Sequence, residues 1–283
     1  MNTVALFTNA GIAILILMAA LWLASLALRN SSIVDIFWGA GFILVTWIIY
    51  FSVQNFLETY SRVAVRLSPH YFYRFYLLIG LVTLWGLRLS FHILRRNWDK
   101  PEDFRYAKWR ADHGPHWWWI SFFQVFLLQG VLMWIVAAPV IAGLLPWPRT
   151  YPPLPDSVYR LVWFNLAGAV VWVVGFFFEA VGDRQLARFK ADPANRRKLL
   201  TTGLWKYTRH PNYFGDAVQW WGFWLIACAG GAWWTVFSPL LMTFLLLRVS
   251  GMSLLEKTLK ETKPGFKEYA RKTSAFFPWP PKQ

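Results

Sequence analysis

From Gly203 to Asp216 the chain reads Gly-Leu-Trp-Lys-Tyr-Thr-Arg-His-Pro-Asn-Tyr-Phe-Gly-Asp, crowding cations, hydrogen-bonding rings and an amide against the start of an apolar run. Pro211 has a φ suited to a first helical turn, and the free N–H groups of such a turn face an anion. Around it, Arg209 offers a two-pronged fork, His210 and Asn212 donate to phosphate or amide groups, and Tyr213 adds a ring and a hydroxyl. Tyr207 lies two residues ahead of the fork. Gly215 allows close approach, and Asp216 puts a carboxylate at the mouth of an apolar run, where an unpaired charge is expensive. Asp216 should therefore have a partner. The set suits a dinucleotide. Singly, His210 also reads as a helix cap and Tyr213 as an interfacial anchor.

Two neighbouring stretches extend this polar group. Gly182 to Lys190 follows a helical pattern with Leu186 and Phe189 on one face, leaving Asp183, Arg184 and Lys190 to reach polar partners. Asp192-Pro193-Ala194-Asn195 ends that helix, and Arg196-Arg197-Lys198 follows. The triplet fits phosphate oxygens, and equally anionic lipid headgroups at about 1 kcal/mol per cation. Nearer the C terminus, Leu255 with Leu259 and Glu256 with Lys260 pair at i, i+4 on an amphipathic helix that ends at Pro264-Gly265. A second short helix starts at Phe266. Tyr269 and Arg271 on it either close over a ligand or rest at the interface, while Glu256, flanked by leucines, fits a specific contact.

The front half holds a different chemistry. Asp35 stands at the entry to the second apolar run, and intramembrane carboxylates are commonly paired or functional. Arg88 in the third run is its expected partner, either as a structural ion pair or within an active site. Trp38, Trp85 and Arg88 are candidate substrate contacts. Glu102-Asp103-Phe104-Arg105-Tyr106 assembles two acids, a cation and a phenol. Its acids are expected to engage the basic cluster that follows residue 182. Tyr106 is a candidate proton donor beside Asp35.

The elements that must position these groups are membrane helices. With 57% hydrophobic, 19% aromatic and 15% charged residues over 283 positions, the chain is too apolar for an ordinary soluble domain. Apolar runs near 4–28, 33–51, 74–94, 121–145, 161–181, 216–230 and 232–249 predict about seven spans. The first reads as a retained span because no cationic segment precedes it. The last two, joined by Gly230-Gly231, also read as a buried helical hairpin. Seven spans place 23 of the 29 Lys and Arg on one side, which by the positive-inside rule puts the N terminus outside and the C terminus in the cytoplasm. Trp117-Trp118-Trp119 reads as a headgroup-level aromatic cluster, and Pro146 to Pro155 as a stiff connection. The net charge of +15 is a topology signal and gives no support to nucleic-acid binding. One cysteine, Cys228, supports neither a disulfide framework nor a cysteine metal site, and the five histidines form no zinc-helix pattern. No Walker loop or strand-borne Gly-x-Gly-x-x-Gly is present. The expected architecture is one all-α integral membrane domain over 1–283, with a candidate substrate pocket in 1–120, cofactor motifs in 160–283 and short amphipathic cytoplasmic helices.

Taken together, the Gly182 to Lys190 helix, the Gly203 to Asp216 run and the segment from Glu256 to Pro278 resemble the C-terminal half of the steroid 5α-reductase-like membrane family. The front half resembles its bacterial DUF1295-type branch. The resemblance implies a seven-helix bundle that binds NADP(H) in a cytoplasm-facing cavity and reduces an activated C=C bond of a lipid, in a bacterial inner membrane. It implies that Asp183, Lys190, Arg197, Tyr207, Arg209, His210, Asn212, Tyr213, Asp216 and Glu256 line the cofactor site, with Tyr269 beside them. Steroid reductases of this family polarise the substrate ketone with a Glu on the second span and a Tyr on the third. The matching neighbourhoods here hold Asp35 and Trp85. Trp85 is no acid, so that work passes to Asp35 with Tyr106, on a hydrophobic enone, enoyl lipid or polyprenoid. The Arg-His-Pro-x-Tyr run and the later glutamate also resemble membrane methyltransferases of the isoprenylcysteine carboxyl methyltransferase type, which bind S-adenosylmethionine. A third expectation is a lipid or sterol sensor without chemistry.

Overall fold

Hydrocarbon offers no partner for a backbone N–H or C=O, so a chain this apolar satisfies those groups within helices. The computed structural model describes residues 3–60, 69–145, 155–249 and 252–282, and no strand occurs among them. The helices are α1 (Thr3–Leu28), α2 (Ile33–Tyr60), α3 (Pro69–Asn97), α4 (Phe104–His113), α5 (Trp117–Ser121), α6 (Leu128–Val136), α7 (Ala138–Gly143), α8 (Pro155–Ala191), α9 (Pro211–Cys228), α10 (Phe237–Phe244), α11 (Met252–Thr262) and α12 (Phe266–Lys272). A π-helical stretch, Phe122–Leu127, joins α5 to α6. Most of the Pro146 to Pro155 connection, together with Arg62, Arg66, Arg149 and Ser250-Gly251, lies outside the described residues.

Five helical stretches are long and apolar enough to cross a membrane: Thr3–Leu28, Ile33–Thr59, Tyr71–Asn97, Phe104–Gly143 and Val162–Ala191. The chain is a multi-pass integral membrane protein. The count of seven is not reached on these terms, because α9 carries Asn212, Asp216 and Gln219 and the apolar helix Trp233–Val249 is short. These two pack as neighbours, with the Trp221 indole donating to Thr243 Oγ1 at 3.3 Å.

Contacts divide the chain into two units. One comprises Met1–Val162 with Ala227–Thr235, the other Trp163–Ile226 with Val236–Gln283. In the first, α2 and α3 cross at Gly39 and Gly86. A Cβ on Gly39 would lie 2.2 Å from the Gly86 carbonyl oxygen, and one on Gly86 would lie 2.6 Å from the Gly39 oxygen. Small residues allow this approach between membrane helices. They leave Trp85 fully buried against Phe42, whose ring in turn contacts Trp38. Arg74 is buried as well, and its guanidinium donates to the Gly143 and Leu145 carbonyls at 2.8 and 3.0 Å. Those oxygens lie at and just past the C-terminal end of α7, where carbonyls are out of reach of the helix's own N–H groups. Of the three tryptophans after His116, Trp118 and Trp119 are exposed, but Trp117 turns inward, stacked on His113.

In the second unit, glycines repeat every seven residues on α8, at 168, 175 and 182, and on α9, at 215 and 222. They meet antiparallel: Gly168 faces Gly222, Gly175 faces Gly215, and Gly182 faces Pro211 and Asn212. A Cβ on Gly215 would lie 2.4 Å from the Gly175 oxygen. A period of seven keeps one face of each helix against its partner. This seam brings the polar ends of α8 and α9 together. Beyond α9, α11 and α12 form as their sequences predict, separated by Gly265 at φ 80°, a left-handed conformation that glycine adopts without strain. The chain then returns beside residues 207–209. Thr208 bridges Ser274, Arg209 N donates to the Ser274 carbonyl at 2.9 Å, and Trp279 N donates to the Tyr207 carbonyl at 3.0 Å.

Candidate functional site

The first unit assembles one polar string. The Tyr106 hydroxyl donates to Asp35 Oδ1 at 2.7 Å, and Arg105 donates to Asp35 Oδ2 at 3.2 Å. Arg105 also pairs with Asp103 at 2.9 Å and lies over the Tyr106 ring, 5.4 Å from its centre. Asp35 thus takes Arg105 as its cation in place of the expected Arg88. Arg88 sits half-buried one turn beyond Trp85 on α3. The physical reason is that α4 starts beside the entry of α2. The Asp103 side chain caps α4 by accepting from Arg105 N at 3.0 Å, and the Ser32 hydroxyl accepts from Asp103 N at 3.4 Å. The first turn of α4 therefore delivers a guanidinium and a phenol together. Glu102 likewise pairs with Arg110 at 2.8 Å and accepts from Ser31 N at 2.6 Å, a partnership within the front unit where the basic cluster after residue 182 was expected. Burial opposes ionisation of Glu102, but these bonds and the Arg110 charge outweigh it and lower its pKa.

Trp38 joins the string through a residue the sequence reading passed over. Its indole donates to Gln129 Oε1 at 2.5 Å, and Gln129 Nε2 donates to the Tyr106 hydroxyl at 3.0 Å. Asp35 and Trp38 on α2 therefore share one network with Tyr106, which lies 71 residues beyond Asp35 in sequence, and Trp85 touches Phe42, whose ring contacts Trp38. An amide inside an apolar run was the available signal for Gln129.

The second unit builds its cluster on the glycine seam. Asn212 donates to Asp183 Oδ1 at 3.0 Å. One turn deeper, Gln219 donates to buried Glu179 at 2.6 Å. Glu179 is an intramembrane acid that the rule applied to Asp35 would also have found. Asp216 is buried on α9 between these pairs. Past the end of the seam, Arg209 Nε donates to Glu256 Oε1 at 2.8 Å, while its Nη1 donates to the Ala270 and Thr273 carbonyls at 2.9 and 2.6 Å. His210 lies 3.1 Å from the same Glu256 oxygen and stacks on Tyr213 with ring centres 5.5 Å apart. Tyr269 donates to the Trp205 carbonyl at 2.5 Å, and burial raises its pKa. Tyr207, Lys190 and Arg197 are exposed. The structure thus joins Asp183 to Asn212, and Arg209, His210 and Tyr213 to Glu256. Lys190 and Arg197 remain on the surface nearby in sequence.

Burial would raise the Glu256 pKa, but hydrogen bonds from His210 and Arg209 and the Arg209 charge overcome it and bring it to about 2. An ionised Glu256 accepts only, so His210 Nε2 carries the proton. His210 Nδ1 is then left buried with no partner among the described residues. A buried ring nitrogen in that state suits a polar group of a ligand. The carboxylate also makes stability depend on pH. A folded value of about 2 against an ordinary 4.5 means that the ionised carboxylate stabilises the folded protein. That contribution is present above pH 4.5 and is lost as pH falls through about 2. Unfolding of purified protein in detergent between these values should show the loss, and Glu256→Gln should lack it; equal slopes for the two proteins would contradict the ion pair.

These features define a class: a multi-pass membrane protein with a buried acid–phenol network and a separate cluster of cations, amides and a histidine. The DUF1295 family, described as proteins of unknown function, matches residues 21–273, and the chain belongs to it. A Schizosaccharomyces pombe protein described as uncharacterized is 26% identical over 224 residues, covering 72% of this chain and 63% of that protein. Two plant proteins named steroid 5-alpha-reductase DET2 are similar over shorter stretches. The one from Gossypium hirsutum is 30% identical over 76 residues, 27% of this chain and 30% of its own. The one from Arabidopsis thaliana is 32% identical over 60 residues, 21% of this chain and 23% of its own. The chain thus spans less than two thirds of the length of these curated relatives. No solved structure matches.

Proposed function

We propose that the chain is a membrane-embedded, NADPH-dependent reductase that transfers hydride to an activated C=C bond of a hydrophobic lipid or steroid-like substrate. The similarity to steroid 5-alpha-reductases supports this class. The observation that carries the choice of cofactor is the charge of residues 182–215, eight Lys and Arg against two Asp. Such a field attracts the phosphates of a dinucleotide and repels the sulfonium of S-adenosylmethionine. The cluster fits the cofactor in a second respect, because His210 Nδ1 is buried with no partner among the described residues. Asp183 with Asn212, His210 and Tyr213 would hold the polar groups, and Lys190 and Arg197 the phosphates. Bound NADPH would supply hydride. Tyr106 Oη, held by Asp35, would donate a proton to the carbonyl that activates the double bond, and Trp38, Trp85 and Arg88 would contact the substrate. The proposed setting is a bacterial inner membrane, with N terminus outside and C terminus in the cytoplasm.

Titrating purified protein with NADPH, NADH and S-adenosylmethionine separates the readings. Saturable binding of NADPH is expected. Binding of S-adenosylmethionine alone would replace the reductase by a methyltransferase, and binding of none would favour a lipid-binding protein without chemistry.

A further inference from the structure

Three groups with fixed hydrogen-bonding character determine the direction of every proton around Tyr106. An indole N–H can only donate, so the atom of Gln129 that faces Trp38 must be its carbonyl oxygen. The other end of the amide is then its NH2, which also only donates, and it faces the Tyr106 oxygen at 3.0 Å. Tyr106 must accept from Gln129, so its own hydrogen is free to point the other way, to Asp35 Oδ1 at 2.7 Å. The amide cannot flip without placing NH2 against the Trp38 N–H and oxygen against an oxygen whose hydrogen is committed to Asp35. Gln129 is 91 residues from Trp38 and 23 from Tyr106 in sequence, so only the fold makes this relay.

We infer that Gln129 is a positioning residue for Tyr106, locked by Trp38, which orients the phenolic hydrogen toward Asp35 and keeps one N–H on the phenolic oxygen when that hydrogen leaves. The inference rests on the reading of Asp35 and Tyr106 as the proton-donating pair. In the proton transfer the Tyr106 O–H swings from Asp35 to the substrate carbonyl oxygen and breaks there as hydride from NADPH adds to the far carbon of the C=C bond, giving an enol that tautomerises to the saturated ketone and leaving negative charge on the phenolic oxygen. The Asp35 carboxylate, on its own, repels that charge. Two groups offset it: the Arg105 guanidinium over the ring and the Gln129 N–H. A donor already aimed where charge develops needs no reorganisation in the reaction.

The test combines a signature that needs no turnover with one that does. The protein is labelled throughout with 3-fluorotyrosine, and Tyr106→Phe identifies the Tyr106 fluorine resonance. Gln129→Met removes both hydrogen bonds at similar volume, and Trp38→Phe removes only the N–H that locks the amide while keeping a ring in place. Both variants should move the Tyr106 resonance and leave the other fluorotyrosines in register. With a 4-en-3-one steroid as probe, both should lower kcat, Gln129→Met by about tenfold or more, at unchanged KM for NADPH. An unmoved Tyr106 resonance in Gln129→Met overturns the inference, and so does a rise in KM for NADPH with kcat intact. Failure of the unaltered protein to oxidise NADPH counts against the reductase reading, and the fluorine spectra still decide the orientation of Tyr106.

Discussion

Asp35→Asn is expected to abolish turnover while leaving NADPH binding intact. The carboxylate receives the Tyr106 hydroxyl and the Arg105 guanidinium within the front unit, whereas the residues proposed to hold the cofactor belong to the other unit. An amide at this position still offers Tyr106 an oxygen, but it carries no charge to hold Arg105, which is left with Asp103 alone. Losing one positioned acid–base group typically costs 10²–10⁴ in rate, so a fall of at least about a hundredfold in kcat is expected. Tyr106→Phe should fall as far, and the double variant no further, because groups acting as one unit do not add. Calorimetric titration with NADPH checks the other half. Weakened NADPH binding in Asp35→Asn, or undiminished turnover, would remove Asp35 from the catalytic role.

The same pair shows what could be read before folding and what could not. Asp35 and Tyr106 stood out because an acid in an apolar run and a phenol among charges are locally conspicuous. Their 2.7 Å contact depends on where α4 starts, which the cap at Asp103 and the Ser32 hydroxyl decide together. Arg88 was the reasonable partner by depth along the third span, but depth carries no rotational information. Arg105 is delivered by the turn that delivers Tyr106. The start of α9 at Pro211 and the break at Gly265 were legible because proline and glycine act locally. The Asp183–Asn212 pair was not, since it needs α8 and α9 in one register. The signal for that register was present as glycines at intervals of seven. The last two apolar segments were hardest to place, because α9 devotes one face to polar groups and so loses the hydropathy that would mark a span.

Arg209→Ala is expected to abolish cofactor binding by a route different from loss of a phosphate contact. In sequence Arg209 reads as a fork aimed at an anion. In the fold, Nε is taken by Glu256 and Nη1 by the Ala270 and Thr273 carbonyls, so the side chain ties the C-terminal segment to the start of α9. It is largely buried, 10% exposed against 15% for Glu256. Removing one partner of such a pair leaves a carboxylate and two carbonyls without their donor, a loss of about 3 kcal/mol. The Thr208–Ser274 bridge, Tyr269 and the ring partner of His210 all stand in the same neighbourhood and should loosen with it. Arg209→Lys should not rescue, because an ammonium cannot span one carboxylate and two carbonyls as a planar fork does. Glu256→Gln should weaken NADPH binding less, since it keeps an acceptor for Arg209 and His210. Protease cleavage after residue 262 should accelerate in Arg209→Ala and stay near normal in Arg197→Ala, whose side chain is exposed. If Arg209→Ala instead lost only NADPH affinity, with unaltered stability and cleavage, the guanidinium would be a phosphate ligand and not the fastening of the C-terminal segment.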